Sequence, residues 1–252
     1  MTFYELYQML DEKFPRELSC EWDNDGIMCA DDFNAPVKRV LIALDVTDET
    51  IDYAEENGFD TIISHHPLVF KAQKALTIES FVQAKLIRLI RNSIRVMSFH
   101  TRLDAGDGGV NDALACALGL SVIEHDPVEP IGRICVLESE LELGEFCKHV
   151  KACLGAPYIS FVGDRAVKRV YLCGGDGKDM IKNAIDSGAD TLLTGNASYN
   201  SMIDAQESGL NVIEAGHFYT ENPVCKFIKV ILDKSDTDIY TEVFNSNKIK
   251  VI

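Results

Sequence analysis

Buried-strand runs alternate along this chain with amphipathic stretches at helical spacing. "VKRVLIALD" (37–45) reads as a strand, "VTDETIDYAEENG" as a helix opened by Thr and closed by Gly58, and "FDTIIS" as a second strand. The same unit returns as "VKRVYLCGG", "DGKDMIKNAIDSG" and "ADTLLTG"; residues 37–66 align with 167–196 without a gap, nine of thirty positions being identical. Each half then adds a helix and a strand: "FVQAKLIRLIRNSIRVMSFH" ends at His100 and "NSMIDAQESGLNVIEAGH" at His217. The alternation predicts an α/β fold made by internal duplication, with two similar domains whose mixed, mainly parallel sheets are flanked by helices.

Parallel sheets gather function at the carboxyl ends of their strands, and the histidines fall there. In "SHHPLVF" (64–70), His65 and His66 would face opposite ways on a continuing strand. Pro67 stops the strand, so the two rings can diverge toward two different ions. The strand-terminal histidines of both halves are followed four residues on by a carboxylate, as His100-x-x-x-Asp104 and His217-x-x-x-Glu221. A single histidine at a strand end is ordinarily a hydrogen-bonded loop residue. Four of the six histidines at equivalent places in a repeat argue instead for a metal site. The set His65, His66, His100, Asp104, His217 and Glu221 suits Zn, Fe, Mn, Co or Ni and is too rich in nitrogen for Ca or Mg. Two divalent ions per subunit are expected, with the Glu221 carboxylate able to bridge a pair ~3.5–4 Å apart. His125, in a polar turn, and His149, on a helix, are left to surface roles.

Charge narrows the partners. Forty acidic against 24 basic residues give −16, which repels nucleic-acid backbones and anionic membranes and attracts cations. "MTFYELYQMLDEKF" has helical spacing and lacks the basic start and apolar run of a signal peptide; no run approaches the ~20 residues of a membrane span. A cytoplasmic protein with a small-molecule partner is expected. The eight cysteines form no C-x-x-C pair and read as reduced core thiols.

Weaker signals leave alternatives open. "CGGDGKD" (173–179) is a glycine-rich strand-to-helix turn, either tight or anion-receiving, and fits neither the P-loop nor G-x-G-x-x-G. In "EWDND" (21–25), Trp22 is a packing anchor, or Asp23 or Asn24 lines a pocket. In "DAGDGGVND" (104–112), Asn111 or Asp112 caps a helix, or Asn111 contacts substrate. For a triphosphate, Lys71, Lys74 and Arg102 are the nearest basic candidates.

With "EWDNDGI", "IISHHPLVF", "FHTRLDAGDGGVNDALA", "LLTGNASYN" and "DAQESGLNVIEAGHFYTE", the chain resembles, nearly end to end, the NGG-interacting-factor-three-like or dinuclear metal centre family, whose members are named GTP cyclohydrolase 1 type 2 homologs. The resemblance implies two interlocked domains, 1–126 with 215–252 and 127–214, the metal site between them, and a toroidal homohexamer. It implies metal ligation by His65, His66, Asp104, His217 and bridging Glu221, with His100 beside the metals. It implies hydrolysis by metal-activated water, the named reaction being opening of the GTP imidazole ring, with His100 shuttling protons and Glu221 holding both ions. One departure stands out: Asn196 and Asn200 replace an acidic residue and a histidine common in the family, which puts activity in question. A metal-binding regulatory or adaptor protein is the competing expectation.

Overall fold

A computed structural model describes residues 1–235 and 238–252. Helix α1 (Phe3–Lys13) buries Phe3, Leu6 and Leu10 along one face, and Thr2 with Glu5 closes a reciprocal capping box at its start. There follow β1 (Gly26–Cys29), β2 (Arg39–Ala43), α2 (Asp48–Glu56), β3 (Thr61–Ser64), α3 (Phe81–Arg91), β4 (Arg95–Ser98) and the short α4 (Thr101–Ala105). Next come α5 (Val110–Ala117), β5 (Ser121–His125), β6 (Arg133–Leu141), α6 (Leu143–Leu154), β7 (Ser160–Val162) and β8 (Val167–Asp176). The chain continues with α7 (Ile181–Asp186), β9 (Thr191–Asn196), α8 (Tyr199–Glu207), β10 (Asn211–Glu214) and α9 (His217–Glu221), then α10 (Pro223–Lys234) and β11 (Tyr240–Val243).

Two compact units result: Met1–Gly106 with Cys225–Ile249, and Asp107–Val224 with Lys250–Ile252. The divisions fall at 106/107 and 224/225, not at 126/127 and 214/215. Pairing of β5 with β6 and packing of α5 and α9 on β8 commit the intervening residues to the second unit.

In the first unit the sheet order is β1-β4-β3-β2-β11, parallel throughout except for β1 against β4. Leu41, Ile62 and Val96 from its strands pack against Ile51 and Ala54 of α2 and Leu89 of α3. Thr47 caps α2, receiving the Thr50 N–H, so the helix starts at the strand's carboxyl end and leaves that end open.

The second unit has the order β5-β6-β8-β9-β10-β7. Here β8, β9 and β10 are parallel and the remaining pairings antiparallel, so this sheet is more evenly mixed than the duplication implies. Both faces of its centre are covered: Val170, Leu172 and Leu193 meet Phe146 and Val150 of α6, while Tyr171, Leu192 and Val212 meet Ala184 and Ala205. The repeated strand-helix-strand segment is thus conserved between the units, and the strands added around it differ. Among the described residues, no helix is long and apolar enough to cross a membrane.

Candidate metal centre

The first unit gathers three histidines where β3 and β4 end. One ring nitrogen from each of His65, His66 and His100 lies within 4.8 Å of the others. The ring centroids are 4.9 Å (His65 to His66), 5.3 Å (His65 to His100) and 5.8 Å (His66 to His100) apart. The adjacent pair does not split to opposite faces, because β3 stops at Ser64 and the chain turns at once. Each ring is oriented by an acceptor at Nδ1. The Phe99 carbonyl takes the His65 proton at 3.0 Å, Asp45 lies 2.7 Å from His66, and Asp23 lies 2.8 Å from His100. A carbonyl can only accept, so neutral His65 carries its proton on Nδ1 and turns a lone pair at Nε2 toward Asp104 Oδ1, 3.7 Å away. This is how histidines that bind metals are ordinarily held. Burial works against charge on Asp23, yet hydrogen bonds from His100 and from the Thr101 hydroxyl and N–H outweigh it, holding the carboxyl well below the usual carboxylate range.

His100 is the residue before α4, and Asp104 lies in that helix's first turn. The histidine therefore sits beyond the strand, which ends at Ser98, at the start of the helix whose first turn carries Asp104.

The second unit repeats the device. His217 opens α9, and its Nε2 lies 3.0 Å from Glu221 Oε2, one turn on. The partner at Nδ1 is the Asn196 side-chain oxygen at 2.9 Å. Glu221 is buried, and α9 lies very close to the strand backbones beneath it. A Cβ at Gly175 would meet Glu221 Oε1 at 2.2 Å, and one at Gly195 would meet Thr220 Oγ1 at 2.5 Å and His217 Cα at 2.8 Å. The Gly175 N–H donates to Thr220 Oγ1, fastening the helix to β8. The donor chemistry of both units, imidazoles held at Nδ1 beside carboxylates, fits borderline divalent cations.

Comparison over the whole chain decides the kinship. A family model described as Duf34/NIF3 (NGG1p interacting factor 3) matches residues 1–250. The chain belongs to the Duf34/NIF3 family. A GTP cyclohydrolase 1 type 2 homolog of Clostridium perfringens is 32% identical over 248 residues, spanning 95% of this chain and 94% of the relative. A hypothetical protein of Staphylococcus aureus has the same fold, with TM-score 0.91 and 27% identity over 100% of this chain and 99% of that one. Reduced HcgD from Methanocaldococcus jannaschii matches with TM-score 0.84 and 29% identity over 96% and 97% of the two chains.

Several secondary motifs of this Duf34/NIF3 chain take roles that the sequence reading did not assign. The turn into α7 comes only at Gly177, where the Met180 N–H donates to the Gly177 carbonyl; β8 runs on to Asp176, so Gly174 and Gly175 lie within the strand, and Gly175 makes room for Glu221 of α9. Asn111 does not cap α5. Gly109 precedes that helix, and the Asn111 side chain accepts the Gly174 N–H at 2.7 Å. Arg102 is fully buried, paired with Asp25 at 2.9 Å and with Asp11, and so is removed from phosphate recognition. Trp22 is no packing anchor, being 64% exposed. Asp23, a pocket candidate in "EWDND", orients His100, whereas nothing in the spacing of Asp45 marks it, and only the fold brings it to His66. His125 ends β5 instead of lying in a turn, and His149 lies on α6 with Nε2 at 2.8 Å from the Leu118 carbonyl.

None of the eight cysteines is in a disulfide, and half of them are buried. Burial pushes the Cys29 and Cys135 thiols up to about 12 and Cys147 to about 11, which leaves them unreactive.

Proposed function

We propose that this chain is a dinuclear metal-dependent hydrolase of the GTP cyclohydrolase 1 type 2 kind, acting on a nucleotide or a related small molecule. His65, His66 and Asp104 from the first half and His217 and Glu221 from the second would hold the two divalent ions. The observation that carries this reading is the cluster of three imidazoles, each oriented through Nδ1 by a carbonyl or carboxylate. Ions held there supply Lewis acidity, lowering the pKa of water and polarising the electrophile. Asp23, kept ionised by its hydrogen bonds, orients His100 so that Nε2 faces the site and moves the proton between water and leaving group. We further propose that the chain works in the cytosol as a homohexamer.

The test is metal content per protomer by elemental mass spectrometry on protein purified without added metal, beside Glu221→Ala. Near two ions in the parent and a large loss in the variant are expected. A parent that neither holds nor takes up metal sinks the proposal. A metal-binding regulatory or adaptor protein is the second reading, favoured by the neutral Asn196 at His217, where the family resemblance implies an acid. His100→Gln decides between them: an enzyme keeps its metal and loses nucleotide turnover, whereas an adaptor shows no turnover to lose.

A further inference from the structure

Beside His100, the first unit exposes an aromatic pair that core packing does not explain. Trp22 is 64% exposed and Phe70 is 46% exposed. Their ring centroids are 6.1 Å apart, and each lies edge-to-face against His100, Trp22 at 6.1 Å and Phe70 at 6.2 Å. The three rings form a closed triangle, and its imidazole corner belongs to the histidine cluster. The pair is held in place from below. Asn24, two residues beyond Trp22, donates its side-chain amide to the Val69 carbonyl, so the two segments bearing the rings are tied at their backbones. Asp23 between them grips His100 and Thr101.

Large exposed aromatic surface beside a polar site is unfavourable in water unless something covers it. Two lysines follow Phe70 closely. Lys71 and Lys74 are exposed, and among the described residues neither forms an ion pair, in a chain whose acids outnumber its bases by 40 to 24. Aromatic faces that take a planar ring, flanked by cations within a few residues' reach, are the means by which proteins hold a nucleobase together with its phosphate.

We propose that Trp22 and Phe70 form the base-binding subsite of this protein, stacking a purine nucleotide whose phosphate is met by Lys71 and Lys74 and whose ring is thereby set against His100. The inference rests on the hydrolase reading above and names its substrate class. Recognition is through the ring's face, so guanine and adenine are both accepted, and the site chooses purine nucleotides over sugar phosphates.

Trp22 is the chain's single tryptophan, so tryptophan emission, excited beyond the absorption of the eight tyrosines, reports on this subsite alone. The full-length, metal-loaded protein is titrated with guanosine 5′-monophosphate, adenosine 5′-monophosphate and ribose 5-phosphate, with metal content measured on the same samples. Saturable quenching by both nucleotides and none by the sugar phosphate is expected. Phe70→Ala should weaken nucleotide binding about ten-fold and keep its metal. Trp22→Ala, followed by calorimetry, should do the same. Absent quenching with full metal content overturns the subsite and spares the metal centre. Equal quenching by ribose 5-phosphate overturns ring stacking in favour of anion binding alone. A Trp22→Ala variant that changes the size of the assembly but not nucleotide affinity makes Trp22 an interface residue and likewise overturns the proposal. Nucleotide binding without metal leaves the subsite standing and removes the hydrolase reading beneath it.

Discussion

The two copies of the repeat furnish their strand ends in opposite ways. In the gapless alignment of 37–66 with 167–196, Asp45, His65 and His66 correspond to Gly175, Gly195 and Asn196. The first copy puts ligand-type side chains and their orienting acid at the ends of its strands. The second clears two of those places with Gly175 and Gly195, keeps a neutral amide at Asn196, and α9 fills the cleared space with Glu221. The short helices differ in parallel. α4 is anchored by the buried guanidinium of Arg102, whereas α9 is seated on bare glycine backbone. One sequence pattern has thus diverged into a copy that supplies imidazoles and a copy that makes room for a carboxylate.

The comparison breaks most sharply at the anchors. Arg102→Ala strands Asp25 as a buried, uncompensated charge and should cost about 3–5 kcal/mol, read from denaturant unfolding. On the other side, Gly195→Ala forces a Cβ into the α9 backbone and should cost about 1–3 kcal/mol by the same measurement and, on the proposed ligation, lower the metal content. An unchanged unfolding midpoint would show that α9 is not seated as described.

The histidine partners sharpen the contrast. His66 leans on a carboxylate and His217 on a neutral amide. Asp45→Asn should lower metal affinity about ten-fold, and Asn196→Asp should raise it by a similar factor, both measured by competition with a chromogenic chelator. If neither variant moves affinity, these neighbours do not orient ligands.

The smallest effect is confined to the second unit. Tyr171 donates its hydroxyl to Asp126 at 2.5 Å. Burial opposes the Asp126 charge, but hydrogen bonds from Tyr171, the Val128 N–H and Asn183 outweigh it and hold the carboxyl below its ordinary range. A depressed carboxyl contributes stability that is present above its unfolded value of about 4 and is lost as pH falls through the folded one. Unfolding midpoints measured downward from neutrality should therefore drop more steeply below about pH 4 in the parent than in Asp126→Asn, by about 1 kcal/mol.

Much of the fold was legible because the repeat is written in uninterrupted strand runs and helix spacing, and the candidate ligands because histidine and carboxylate recur at one offset. What stayed hidden depends on residues distant in sequence. Asp23 meets His100 across 77 positions and Arg102 meets Asp25 across the same span, and no local pattern encodes either contact. The glycines misled for a related reason. A bare backbone position reads as a turn until the helix that requires it is in place, and β8 shows that two glycines can lie within a strand.

The orientation of the imidazoles has a consequence for the order of events in the cell. His65, His66, His100 and His217 are steered by a peptide carbonyl, two carboxylates and an amide, all supplied by the polypeptide itself. Nothing in that arrangement waits for an ion. On the proposed metal-binding reading, the chain should therefore complete folding first and take up cations afterwards, making maturation a separate, reversible step that availability of the ions can govern after synthesis is over.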